Sequence, residues 1–143
     1  MKQSLEALRD SEKIHRSQLL ALTKQYQLTI AEWQLLMNLA DGHTTQEELS
    51  TVTALDTSTL SRQLKSLGTK LMIDKEATGR DHRQLIYHVT EQGQQALTEI
   101  NQSYDQLTAN VFDKWTDEEK NLLQILLNRL ETSLSRTNKN GIN

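Results

Sequence analysis

Nine side chains carry the chemistry this sequence offers. Thr57, Ser58, Ser61, Arg62 and Lys65 form one cluster, and Arg80, Asp81, His82 and Arg83 form a second. Their types suit recognition rather than bond making. Hydroxyls and a guanidinium are compact groups that reach base edges in a DNA major groove, and a lysine ammonium reaches phosphate. A short basic loop beside such a face can insert an arginine into the neighbouring minor groove, where negative potential is concentrated. Asp81 sits between the arginines, placed to orient one of them rather than to touch DNA. Any solvated helix or hairpin turn carries similar residues, so the reading gains its weight from the second cluster following the first directly.

Charge and composition are compatible with it. The chain has 143 residues and a net charge of -3. Between Asp56 and His88, however, six basic residues (Arg62, Lys65, Lys70, Lys75, Arg80, Arg83) outnumber four acidic ones (Asp56, Asp74, Glu76, Asp81). Phosphate contact depends on local field, so a basic face on an acidic body can serve. The absence of cysteine excludes a disulfide framework, a thiolate zinc site and thiol redox chemistry. The sequence offers no glycine-rich phosphate loop and no Gly-x-Ser-x-Gly elbow, and its histidines (His15, His43, His82, His88) show no tight ligand spacing. We therefore expect a protein that is not an enzyme and holds neither metal nor cofactor. No apolar run approaches the roughly 20 residues of a bilayer span, and the N-terminus lacks a secretory pattern, which predicts a cytoplasmic protein.

The two clusters need a scaffold, and the neighbouring sequence supplies one. Thr45-Gln46-Glu47-Glu48 has capping-box form and starts a short helix with Leu49 and Val52 turned inward. Asp56 is a good N-cap for the next helix. At about 100° per residue, Leu60, Leu64 and Leu67 share its buried side. Ser58, Arg62 and Lys65 fall opposite, with Ser61 and Ser66 on the flanks. Two short helices so arranged have the layout of a helix-turn-helix. Met72–Ala77 and Gln84–Val89 then read as strands, the second with Leu85, Tyr87 and Val89 on one side, joined by a loop that turns at Gly79.

The flanks read as helices. Leu5, Leu8, Glu12, His15, Leu19, Leu22 and Tyr26 make the seam of a long one. Glu12 and His15 interrupt the seam, either as a satisfied interfacial pair or as ligand contacts. Thr29-Ile30-Ala31-Glu32 is a capping box; Trp33, Leu36, Met37 and Ala40 form the face behind it, which ends at Asp41-Gly42. Thr90 caps a helix through Leu97, Ile100, Tyr104, Leu107 and Val111. Thr116 starts a last one whose apolar side is Leu122, Leu123, Leu126, Leu127, Leu130 and Leu134. So short a chain with several helices often completes its core by pairing with another copy.

Together these residues resemble the MarR family of winged-helix transcription regulators. The resemblance spans nearly the whole chain and rests on Asp56 with Ser58-Thr59-Leu60-Ser61-Arg62, on Asp81-x-Arg83, and on Val89-Thr90-Glu91-Gln92-Gly93. It implies a mainly α fold with a small β-hairpin wing. Residues 28–90 would form a winged helix-turn-helix lobe, 1–27 and 91–137 a helical dimerisation lobe, and 138–143 a flexible tail. It further implies a homodimer on a pseudo-palindromic operator in double-stranded DNA, with Arg83 entering the minor groove and Asp81 orienting it. The expected function is a repressor released by a small lipophilic or phenolic effector held near His15, Leu19, Trp33, Met37 and Tyr104. The alternative is a winged-helix module that binds another regulator instead of DNA. One departure stands out: where the family ends its recognition helix on a glycine, this chain has Leu71, and Gly68 lies three residues earlier. That predicts a helix that stops early or frays.

Overall fold

The computed structural model describes residues 1–79 and 84–139. In order the elements are α1 (Ser4–Lys24), α2 (Ile30–Ala40), α3 (Gln46–Thr53), α4 (Thr57–Thr69), β1 (Ile73–Thr78), β2 (Gln84–Val89), α5 (Glu91–Val111) and α6 (Asp117–Lys139). The expected class, helical with a two-stranded wing, is what forms. The chain divides into two compact units, Met1–Tyr104 and a second that begins at Asp105.

Side-chain caps start α2 to α6 where the sequence places them, whereas α1 has none at Gln3. Thr29 Oγ1 accepts the Glu32 amide at 3.0 Å while Glu32 accepts the Thr29 amide at 2.9 Å, a complete capping box that satisfies two otherwise orphaned donors. Asp56 Oδ1 accepts the Thr59 amide at 2.8 Å, and Thr90 Oγ1 accepts the Gly93 amide at 3.1 Å. At Thr45 only half of the box forms: its hydroxyl takes the Glu48 amide, but the Glu48 carboxylate returns to that hydroxyl rather than to the backbone.

The first unit holds the core. Leu35, Leu36, Leu49, Leu60, Leu67 and Ile100 are buried, drawn from α2, α3, α4 and α5. Leu60, Leu64 and Leu67 all face inward, as their spacing predicts. Val52 does not: it is 43% exposed, because α3 spans only eight residues and buries Leu49 alone. The strands pair antiparallel with Ile73 opposite Val89 and Thr78 opposite Gln84. Tyr87 is the buried member of β2, and its amide donates to Thr44 O at 2.9 Å, which ties the wing to the segment before α3.

The helix ends differ from expectation at α4. This helix runs through Gly68 to Thr69, and Leu71 takes the left-handed position at φ +62°. Leu71 N–H bonds to Gly68 O and Met72 N–H to Leu67 O, both at 3.0 Å, the paired bonds of a Schellman ending. The same ending closes α2 on Gly42 at φ +104°, where the sequence does supply glycine.

In the second unit Phe112 and Trp115 stack edge-to-face with centroids 5.0 Å apart. Along α6, Leu122, Ile125, Leu126, Leu127 and Leu134 are exposed. No helix among the described residues is long and apolar enough to cross a membrane.

Candidate nucleic-acid interface

The outer face of α4 is built by what its inner face buries. With Leu60, Leu64 and Leu67 fixed in the core, Thr57, Ser58, Ser61, Arg62 and Lys65 are all exposed, and the helix itself contains no acidic residue. Several of these side chains are held. Ser58 Oγ donates to Asp56 Oδ1 at 2.9 Å, and Arg62 Nη2 donates to Thr59 Oγ1 at 3.3 Å. The Thr59 amide, then the hydroxyls of Ser58 and Thr59, keep the Asp56 carboxyl below the ordinary aspartate value, so it stays ionised and accepting.

Two contributors escape a reading along the sequence. Gln46, the first residue of α3, donates through Nε2 to Ser61 Oγ at 2.8 Å across a separation of 15 residues. Its position right after the capping Thr45 is the only hint the sequence gives. Lys75 on β1 is exposed and lines, with Ser61, Lys65 and Tyr87, a groove of about 610 Å³ between α4 and the base of the wing. Lys70 leaves the basic face instead. Its Nζ lies 2.8 Å from Glu32 Oε1, and the Glu32 side chain is only 4% exposed.

Arg80, Asp81, His82 and Arg83 lie outside the described residues. The strand ends that carry them are described: Thr78 pairs with Gln84, and Gly79 takes φ +91°.

The five residues read as effector contacts separate into groups. His15, Trp33 and Tyr104 come together, with Tyr104 Oη 3.4 Å from His15 Nε2 and ring centroids of Trp33 and Tyr104 5.6 Å apart. Trp33 Nε1 donates to Asn101 Oδ1 at 3.0 Å, which satisfies the one polar atom of a buried ring. Leu19 is buried in the core. Met37 borders a different groove, about 480 Å³ in volume, with Leu35, Val52 and Leu55. Among the described residues no group of three metal-binding side chains gathers.

A hydroxyl-and-guanidinium helix face beside a hairpin can donate to and accept from base edges while its lysines meet phosphate. Comparison with protein families agrees: the model of the transcriptional regulator SarA/Rot family matches residues 19–100, more than half of the chain. The chain belongs to the SarA/Rot family. It is thus a transcriptional regulator of the SarA/Rot type, and the family is one of regulators rather than enzymes. None of the curated proteins compared matches the sequence.

Solved structures show the shared fold. MepR of S. aureus, in a complex with DNA, superposes with a TM-score of 0.77 at 16% identity, covering 92% of this chain and 96% of MepR. Apo MarR of E. coli gives 0.70 at 21% identity, covering 91% of this chain and 98% of MarR. A SlyA-like transcription regulator from Listeria monocytogenes gives 0.74 at 22% identity, covering 96% and 92% respectively. The MarR resemblance seen in the sequence is therefore a true likeness of architecture.

Proposed function

We propose that this SarA/Rot-family chain is a homodimeric repressor that lays α4 of each protomer in a major groove of a pseudo-palindromic operator. The loop 80–83 of each wing reaches the adjacent minor groove, with Arg83 inserted and Asp81 orienting it. The observation that carries the reading is the exposed face of α4, where Thr57, Ser58, Ser61, Arg62 and Lys65 stand together on a helix without acidic residues. The fold shared with MepR, which is known in complex with DNA, adds support.

Apolar surface that would otherwise face water supports the pairing of two copies. Leu122, Ile125, Leu126 and Leu127 on α6, and Leu5, Ile14 and Leu20 on α1, are each 44% or more exposed. Covering such side chains gains about 25 cal/mol per Å² of apolar area removed from water. Two recognition helices on one face of a duplex then require half-sites about 10 bp apart. Occupying a promoter in this way blocks polymerase, and a small lipophilic or phenolic effector held near His15, Trp33 and Tyr104 releases it by changing the spacing of the two helices.

Fluorescence-anisotropy titration of operator duplex with wild type, Arg62→Ala and Arg83→Ala tests the interface, with sedimentation as a check on assembly. Both variants should bind more weakly while remaining folded dimers. Binding should also fall steeply with salt, since each neutralised phosphate releases counterions. Wild-type affinity in both variants, or binding indifferent to salt, would defeat the proposal.

A further inference from the structure

Two serines on the exposed face of α4, Ser58 and Ser61, offer opposite hydrogen-bonding faces. Ser58 Oγ gives its single proton to Asp56 Oδ1 at 2.9 Å. Asp56 is the N-cap of the helix and also takes the Thr59 amide at 2.8 Å and the Thr59 hydroxyl at 3.1 Å. An ionised carboxylate can only accept, so the Ser58 hydroxyl has no proton left for a ligand and presents lone pairs alone. One turn along, Ser61 Oγ accepts Gln46 Nε2 at 2.8 Å. A hydroxyl engaged through a lone pair keeps its proton to give. Both residues are exposed on the face assigned to the major groove.

We propose that Asp56 and Gln46 preset these hydroxyls, so that Ser58 reads a base edge with an amino donor, adenine or cytosine, and Ser61 an edge with an acceptor, guanine, thymine or the N7 of adenine, rejecting cytosine, whose edge offers only a donor. This rests on α4 being the groove helix and deepens that reading by naming the base chemistry it selects. An untethered serine rotates to suit either kind of edge and discriminates poorly. Fixing the rotor turns it into a reader, because the major groove shows each base as a distinct order of donors and acceptors. Side chains three apart on a helix are about 5–6 Å apart, and successive bases rise by about 3.4 Å. The two serines therefore address neighbouring or next-but-one positions of a half-site. Gln46 and Asp56 are positioning residues, acting through the serines.

Selection from a randomised duplex library, with the full chain as wild type, Ser58→Ala, Ser61→Ala, Gln46→Ala and Gln46→Glu, tests the assignment. Each serine-to-alanine change should flatten the preference at one position, and the two positions should differ, by roughly five- to tenfold in relative affinity. Gln46→Glu is the decisive variant. Its carboxylate must take the Ser61 proton, so guanine and thymine should be lost and cytosine gained at that position, adenine fitting both states, while the Ser58 position stays as it was. The added negative charge weakens binding to every sequence, which is why the readout is relative preference at one position. Gln46→Ala leaves the hydroxyl untethered and should make the position tolerant of both kinds of base.

A Gln46→Glu profile that still favours guanine or thymine over cytosine overturns the inference, as does a wild type that prefers cytosine at the Ser61 position. Sequence-specific binding with either result leaves the groove-helix reading standing. A wild type without preference for any duplex sequence defeats that reading and this inference together.

Discussion

Replacing Lys70 by methionine should strand a charge that the fold has buried. Glu32 is 3% exposed and accepts from Lys70 Nζ at 2.8 Å, Ser66 Oγ at 2.7 Å and the Thr29 amide at 2.9 Å. Burial alone would push its carboxyl up, but hydrogen bonds from Lys70, Ser66 and Thr29, with the lysine's charge, outweigh it and hold the group below its ordinary value. Removing one partner of a fully buried pair costs about 3–5 kcal/mol. The Lys70 side chain is 29% exposed, so water reaches that side of the pair, and two other donors remain. About 2–3 kcal/mol is the reasonable cost, or roughly 5–10 °C in Tm for a chain of this length. Urea titration followed by helical circular dichroism, at fixed protomer concentration because pairing would add to stability, measures it. In a Glu32→Gln background the same Lys70→Met change should cost less than about 1 kcal/mol, since a neutral amide is not stranded. The pH dependence has a definite sign. A carboxyl whose folded pKa lies below its unfolded value stabilises fully above the ordinary glutamate value of 4.5 and loses that contribution as pH falls through the folded value. The gap between wild type and Glu32→Gln should therefore be constant from neutral pH down to about pH 5 and close at lower pH. Equal costs of Lys70→Met in both backgrounds, or a gap indifferent to acid, would refute the argument.

Other variants probe separate joints of the structure. Gly93→Ala would drive a Cβ into Met72 O, so the backbone itself must move. A loss of several kcal/mol is expected, and a Tm within a few degrees of wild type would contradict this packing. Thr90→Val removes the cap on Gly93 N–H and the 2.6 Å bond from its hydroxyl to Leu71 O, for about 1–2 kcal/mol by the same denaturation assay. Leu126→Glu places a carboxylate on the exposed face of α6, and sedimentation should find more monomer with the helical content retained; an unaltered dimer would move the proposed pairing surface elsewhere.

Legibility in the sequence follows the range of the interactions. Caps act across three or four residues, and Thr29, Asp56 and Thr116 all start helices as read. The buried stripe of α4 depends only on helical period, and it too is correct. Lys70 shows the limit: counted with the basic residues of the recognition segment, it is consumed by Glu32, which lies 38 residues away and was visible only as a capping residue. Gln46 shows the converse, a polar residue of no evident role until the turn between α3 and α4 brings it to Ser61. Val52 fits an inward pattern that so short a helix does not satisfy. Adjacency across a turn is a tertiary fact, and local pattern does not encode it.

The end of α4 shows how such a tertiary fact overrides a local signal. Left-handed φ is disfavoured for a residue with a Cβ, so a chain with Gly68 available would, on local preference, turn there rather than at Leu71. What holds Leu71 at φ +62° is the use made of the carbonyls around it. Lys70 O accepts Gln92 Nε2 at 3.3 Å, Leu71 O accepts Thr90 Oγ1 at 2.6 Å, and Met72 O accepts the Thr90 amide at 3.0 Å. Three consecutive carbonyls are thus occupied by the Thr90-Glu91-Gln92 segment, while Gly93 packs directly against the third. Met72, just past the turn, is itself buried. Ending the helix at Gly68 would shift all of these groups and expose Met72, a larger loss than the roughly 1–2 kcal/mol of one left-handed leucine. The Val89–Gly93 motif is therefore a clasp on the end of α4. It fixes where α5 begins relative to α4, so a disturbance at the start of α5 must be felt at the helix that carries Ser58, Ser61 and Arg62.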